Sequence, residues 1–267
     1  MGRVRSGFRL AAGLVFIVVG MQGDSARAAE APPGALVIVG GGGFPDAARK
    51  RFVELAGGPK ARIVVVPTAS ASADGPPAEL DEYLEPWRKQ GVGSLRILHT
   101  RDRAKADEPG FAAAVDEATG VWFSGGDQSR ITGAYLGTAV EKALRALLER
   151  GGVIGGTSAG AAIMSRVMIT GGQETATVGT GFGFLPGAVV EQHALRRNRV
   201  RRLAGVLVKH PELAGVAIDE ATALVVHRGR WRVIGDSYVA VLRVATPSRP
   251  PKFEVFHEGD EGDLASW

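Results

Sequence analysis

A serine attacks a carbonyl only if one group takes its proton and others receive the charge that grows on the carbonyl oxygen. Ser158 sits where both could be supplied. It is the centre of Gly156-Thr157-Ser158-Ala159-Gly160, a G-x-S-x-G pentad. The apolar Val153-Ile154 precedes it, and Ala161, Ala162, Ile163 and Met164 follow with helical character. A nucleophile on such a strand-to-helix turn needs small neighbours, because the turn is tight and its backbone strained. The helix start then offers the Ala159 N–H to an oxyanion beside Ser158. The plainer competitor is a glycine-rich turn that binds phosphate or merely turns the chain.

Of the five histidines, His193, in Glu191-Gln192-His193, is the strongest candidate base. His99, His210 and His227 have blander settings beside strand ends, Pro211 and Arg228. A third group must hold the imidazole and stabilise its charge; Glu174, Asp219 and Glu220 all qualify, and periodicity does not choose among them. Gly126, in Ser124-Gly125-Gly126-Asp127-Gln128, could give a second oxyanion N–H, with Gln128 left to bind substrate. Asp127 there also reads as a helix N-cap. Arg196, Arg197, Arg199, Arg201 and Arg202 crowd one segment. Guanidinium forks bind carboxylates bidentately, although such a run also serves as a solvated helix face. The run Gly40 to Gly43 invites a dinucleotide reading, but Pro45 takes the third glycine position and no acid follows about 20 residues on.

Positioning these groups requires a scaffold. Apolar runs at Ala35 to Val39, Arg62 to Val66, residues 95–98, Gly120 to Phe123 and residues 153–154 alternate with helical spacings over Asp46 to Leu55, residues 79–90, 111–118 and 138–150. Strands apolar throughout and separated by helices predict an α/β fold, a mostly parallel sheet flanked by helices on both faces. The loops at Gly40, Gly125 and Gly155 then share the sheet edge at the strand C-termini, where sites lie in such folds. Past Met168 the pattern shifts to a basic helix over residues 196–208 and short strands near residues 216–218, 223–227, 231–234 and 239–244. These read as a C-terminal antiparallel extension, with a hairpin around Arg228-Gly229-Arg230.

Composition bounds the rest. The 267 residues are 45% hydrophobic and 22% charged, as in a folded core rather than a disordered chain. Residues 1–28 read as an export signal: Arg3, Arg5 and Arg9, an uncharged stretch over residues 10–21, then Ala26-Arg27-Ala28. Cleavage there leaves residues 29–267 as one α/β domain with 28 basic and 27 acidic side chains, a balance that argues against nucleic acid. It also leaves no stable membrane insertion and an exported, periplasmic or extracellular protein. The sequence has no cysteine, which excludes disulfides, a thiol nucleophile and cysteine-ligated metal. Neither a metal nor another cofactor is expected.

The motifs taken together resemble the cyanophycinases of the dipeptidase E-like serine peptidase family, over about residues 37–226. The segment from Gly155 to Ser165 is similar to that family's nucleophile segment, and Ser124-Gly125-Gly126-Asp127-Gln128 to its T-G-G-D-Q. Pro67-Thr68-Ala69-Ser70 resembles its P-T-A-S. Gly183-Phe184-Leu185-Pro186 with Glu191-Gln192-His193 resembles its G-F-L-P…D-Q-H, and Arg197, Arg199 and Arg202 fall at its R-x-R-x-x-R spacing. The resemblance implies a glutamine amidotransferase-like, flavodoxin-like fold and a triad of Ser158, His193 and, by position, Glu174. It implies that Gln128, Gln192, Arg197, Arg199 and Arg202 line the site. The implied partner is a peptide polymer, cyanophycin, cut to β-aspartyl-arginine without a cofactor; a homodimer is the other expected association. Glu191 stands where the family has Asp, and Ala194 where it has an aromatic.

Overall fold

The computed structural model describes residues 33–267; the export segment read at residues 1–28 lies outside them. The first half runs β1 (Ala35–Val39), α1 (Asp46–Leu55), β2 (Arg62–Val66), α2 (Pro77–Glu82), α3 (Glu85–Arg88) and β3 (Ser94–Ile97). It continues with α4 (Arg103–Ala106), α5 (Pro109–Glu117), β4 (Gly120–Phe123), α6 (Gln128–Tyr135), α7 (Ala139–Glu149), β5 (Val153–Thr157) and α8 (Ala159–Ala162). The helix expected over residues 79–90 is two. Pro86 has no N–H to give Glu82 and its ring crowds that carbonyl, so the chain breaks between α2 and α3.

The second half contains β6 (Val167–Gly171), β7 (Thr177–Thr180), β8 (Ala188–Gln192), α9 (Val200–Lys209), β9 (Ala214–Ile218) and β10 (Thr222–His227). After these come β11 (Arg230–Gly235), β12 (Val239–Arg243), β13 (Lys252–Phe256) and β14 (Glu261–Asp263). The main sheet has the order β14-β11-β10-β1-β5-β4-β2-β3. Its five strands from β1 to β3 are parallel, and β10, β11 and β14 extend it antiparallel. Arg228 and Gly229 both take positive φ, as the expected β10–β11 hairpin turn requires.

Alternation along the sheet strands feeds two cores. Leu36, Ile38, Val64 and Val121 face α7, whose Val140, Leu144, Leu147 and Leu148 are buried. Val37, Val39, Ile63 and Val65 face α1, where Phe52 meets Trp87 and Trp122 at ring-centroid distances of 5.1 and 5.4 Å.

The sequence pattern did not reveal that β8 and β9 belong to a second sheet, ordered β13-β12-β9-β8. In it β8 and β9 run parallel, with Gln192 beside Ile218. Three strand ends thus converge: β5 from the main sheet, β8 and β9 from the second. The helix read over residues 196–208 begins at Val200 instead. Asn198 takes a left-handed φ of 50°, and the Leu195 and Arg196 N–H groups donate to Asp219 Oδ1 at 3.0 and 2.8 Å, so the preceding turn is held outside the helix.

Candidate active site

Ser158 follows β5 with φ 52° and ψ −105°, outside the regions a non-glycine residue prefers. Its N–H donates to Val39 O at 3.0 Å, and its carbonyl accepts from Ala161 and Ala162 at 3.0 Å each. Both glycines of the pentad are demanded by close approach. A Cβ on Gly156 would lie 2.5 Å from the Gly160 carbonyl, and one on Gly160 would lie 2.3 Å from Phe123 O. The turn is therefore packed between β4 and its own helix, which forces the serine side chain outward.

His193 directly follows β8, also at positive φ (53°). Its Nε2 lies 2.8 Å from Ser158 Oγ, and its Nδ1 lies 2.6 Å from Glu220 Oε1, at the end of β9. A carboxylate accepts, so Nδ1 carries the proton and Nε2 is left to accept from the serine hydroxyl. Burial, the leading cause, depresses the imidazole pKa; the hydrogen bond to Glu220 opposes the shift, and the charges of Arg197 and Arg199 add to it. The free imidazole is accordingly neutral near pH 7 and able to act as a base.

The glycine run after β1 belongs to this site. The Gly40 carbonyl accepts from His193 N at 2.8 Å, the Gly40 N–H donates to Thr222 O at 3.0 Å, and the Gly41 carbonyl accepts from Ala221 N at 2.8 Å. Gly41, at φ +108°, lies so close under the imidazole that a Cβ would meet its Cε1 at 2.2 Å. A Cβ on Gly42 would meet Glu220 Oε2 at 2.4 Å. This loop ties the main sheet to the second one and forms the bed of the His193–Glu220 pair.

On the other side of the serine, a Cβ on Gly125 would sit 3.5 Å from Ser158 Cβ. The Asp127 N–H donates to Ala69 O at 2.9 Å, and Gly126, at φ +139°, presses its Cα against that same carbonyl. The loop carrying Ala69 is itself braced. Thr68 Oγ1 lies 3.0 Å from His99 Nδ1 and 2.7 Å from the Tyr135 hydroxyl, and His99 Nε2 lies 3.0 Å from Asp74 Oδ1. Arg101 reaches Asp74 and the Ser70 carbonyl from beyond. Arg101, then His99, hold the Asp74 pKa down. Among the described residues, no three His, Asp and Glu side chains gather as a metal site requires.

Peptidase family S51 matches this chain over residues 36–234. The chain belongs to that family. It is thus a serine-type peptidase, on an α/β fold built around a mostly parallel sheet. The cyanophycinase of Geminocystis herdmanii is 34% identical over 72% of this chain and 73% of its own. That of Trichormus variabilis is 33% identical over 81% and 76%, and that of Synechococcus elongatus 36% over 75% and 66%. A peptidase from an acI-B1 actinobacterium superposes with a TM-score of 0.66 at 24% identity, covering 88% of this chain and 98% of its own. A putative peptidase E protein from Listeria monocytogenes gives 0.53 at 14%, over 76% and 99%; both show the fold alone.

Set beside this peptidase's geometry, the expected site residues divide. Ser158 and His193 meet. Glu174 does not join them: it sits exposed on the turn between β6 and β7, and the acid on the imidazole is Glu220, one of its two rivals. Asp219, the other rival, is turned away, accepting from Leu195, Arg196 and, at 2.8 Å, from Ser237 Oγ. Desolvation, the largest single cause, pushes its carboxyl pKa up, but those bonds together outweigh it and hold the pKa below its ordinary value; they also anchor the segment after His193.

Arg197 Nε stands 3.8 Å from Glu220 Oε1 with its side chain half exposed. Arg199 is held by Gln192, donating to its carbonyl at 3.2 Å and its Oε1 at 2.8 Å. Arg202 is not available to substrate. It is buried, donates bidentately to buried Glu191 at 2.6 and 2.8 Å, and also meets the Gly172 carbonyl. Gln128 is likewise occupied, giving its amide N–H groups to Ile169 O and Thr170 O at 2.7 and 3.1 Å. Asp127 caps α6 through Ser129 N at 2.8 Å. Gly41 and Gly42 were missed as site residues. Their signal was a glycine run at a strand C-terminus, which fitted no cofactor fingerprint and still needed an occupant.

Proposed function

We propose that this peptidase hydrolyses cyanophycin to β-aspartyl-arginine through an acyl-enzyme on Ser158. The observation that carries the reading is the hydrogen-bonded chain Ser158–His193–Glu220, in a protein whose relatives named above are cyanophycinases. His193 takes the serine proton as Oγ attacks the scissile carbonyl, and Glu220 stabilises the imidazolium. The N–H groups of Ala159, first in α8, and of Gly126 receive the oxyanion. His193 returns its proton to the leaving amine, and water, activated by the same imidazole, releases the acyl group. Arg197 and Arg199, beside the base, suit the carboxylates that an arginyl side branch carries.

The test is dipeptide release from cyanophycin by the purified protein and by Ser158→Ala. Release by the first alone supports the reading. Release by both, or labelling of wild type by a serine-directed probe without any release from cyanophycin, overturns the assigned nucleophile or substrate respectively. We also propose export with loss of residues 1–28; a mature protein whose N-terminus is still Met1 refutes that.

A further inference from the structure

Helix α1 and the antiparallel strands β10, β11 and β14 enclose a groove of about 520 Å³, within the range of small-ligand sites. Strand register builds its floor. His227 stands opposite Arg230, Val225 opposite Arg232 and Ala223 opposite Ile234, so cationic and apolar side chains share one face of the β10–β11 pair. Arg51 and Glu54 enter from α1, while Glu258 and Glu261 supply carboxylates from the C-terminal segment.

These charges pair with one another at the surface; Arg230 also meets Asp263 at 3.3 Å, and Glu258 accepts from the Gly235 N–H. Arg51 and Glu54 are 3.0 Å apart, Arg230 and Glu261 3.5 Å, and Arg232 and Glu261 3.9 Å, all on side chains largely open to solvent. Exposed pairs of this kind contribute little, so either member exchanges its partner for an incoming ion at small cost. The groove also reaches towards the active site. Beyond Ile234, at its end, a Cβ on Gly235 would meet Ala221 O at 2.3 Å, and the Asp236 N–H donates to the same carbonyl at 3.0 Å. Ala221 directly follows Glu220.

We propose that this groove is an accessory binding site for a peptide carrying both a guanidinium and a carboxylate on every unit. Its occupant is a distal stretch of the arginyl-aspartate polymer, and the assignment rests on the cyanophycin reading above. Charge complementarity selects that occupant. Carboxylates meet the arginine floor while guanidiniums meet Glu54, Glu258 and Glu261; a purely acidic or purely basic chain would face like charges along half the groove.

The test compares wild type with Arg230→Glu/Arg232→Glu and with the milder Arg230→Gln/Arg232→Gln, on soluble cyanophycin and on a two-unit oligomer, which has no distal stretch once it occupies Ser158. The thermal midpoint of each variant checks folding. The expected result is a KM for the polymer raised about twofold to thirtyfold, the equivalent of two such ion pairs, with the oligomer's kcat/KM unchanged from wild type. An unchanged polymer KM, or equal losses on both substrates in folded variants, overturns the accessory site and leaves the catalytic reading standing. Wild type that cleaves neither substrate overturns the cyanophycin reading and the assigned occupant with it.

Discussion

Replacing Glu220 by Gln keeps the side chain's shape and removes its charge. The amide oxygen can still accept from His193 Nδ1–H, so the imidazole stays near its place and what is lost is the stabilisation of imidazolium. The 2.6 Å contact puts the charge centres about 4 Å apart, worth about 4 kcal/mol at an effective dielectric of about 20. That corresponds to about a thousandfold in kcat. With 27% of the Glu220 side chain open to solvent, the expected loss is about a hundredfold to a thousandfold. Initial rates of dipeptide release at pH 8, with Glu174→Gln alongside, measure it. Glu174→Gln should stay within twofold of wild type. A Glu220→Gln variant within tenfold of wild type, or a matching loss in Glu174→Gln, refutes the assignment of Glu220.

Four further outcomes are expected. Gly41→Ala places a methyl where the imidazole now lies and should lower kcat about a hundredfold, the scale of a displacement near 1 Å, while circular dichroism remains native. Because burial lowers the His193 pKa, the acid limb of kcat/KM should fall at a pH below the ordinary imidazole value of about 6.5; a limb above it contradicts a buried, neutral base. The same depression has a stability consequence: the native state takes up the His193 proton less readily than the unfolded chain, so this contribution is whole above about pH 6.5 and is lost as pH falls through the lowered value. Arg202→Met leaves the Glu191 charge buried without a partner and should destabilise the fold by about 3–5 kcal/mol, read by urea unfolding, with no selective rise in KM.

The meeting of Ser158 and His193 was legible because each residue carries a local signal. Ser158 has a pentad whose glycines are forced by Phe123 and Gly160, and His193 directly follows an apolar strand. The acid was less legible because its place depends on pairing far apart in sequence: β8 and β9 are parallel neighbours joined through α9. Read by position after the serine, Glu174 and Glu220 look equivalent. Read as the residues that follow parallel strands, only Asp219 and Glu220 remain, and alternation sends one toward Ser237 and the other toward His193. The arginine run misled in part for a similar reason. Whether a guanidinium is free depends on the carboxylate opposite it, and Glu191 reaches Arg202 from another element.

The triad proposed for this peptidase draws on two sheets, which has a consequence for the order of folding. The Ser158 elbow stands past the middle of the 267-residue chain, after the strands β1, β4 and β5 that support it. Its base and acid ride on a sheet whose order is completed only by β12 and β13, near the end of the chain. The elbow therefore precedes in sequence every strand of the sheet that places its proposed base and acid. Under the proposed mechanism the serine acquires its base only once that later sheet has formed.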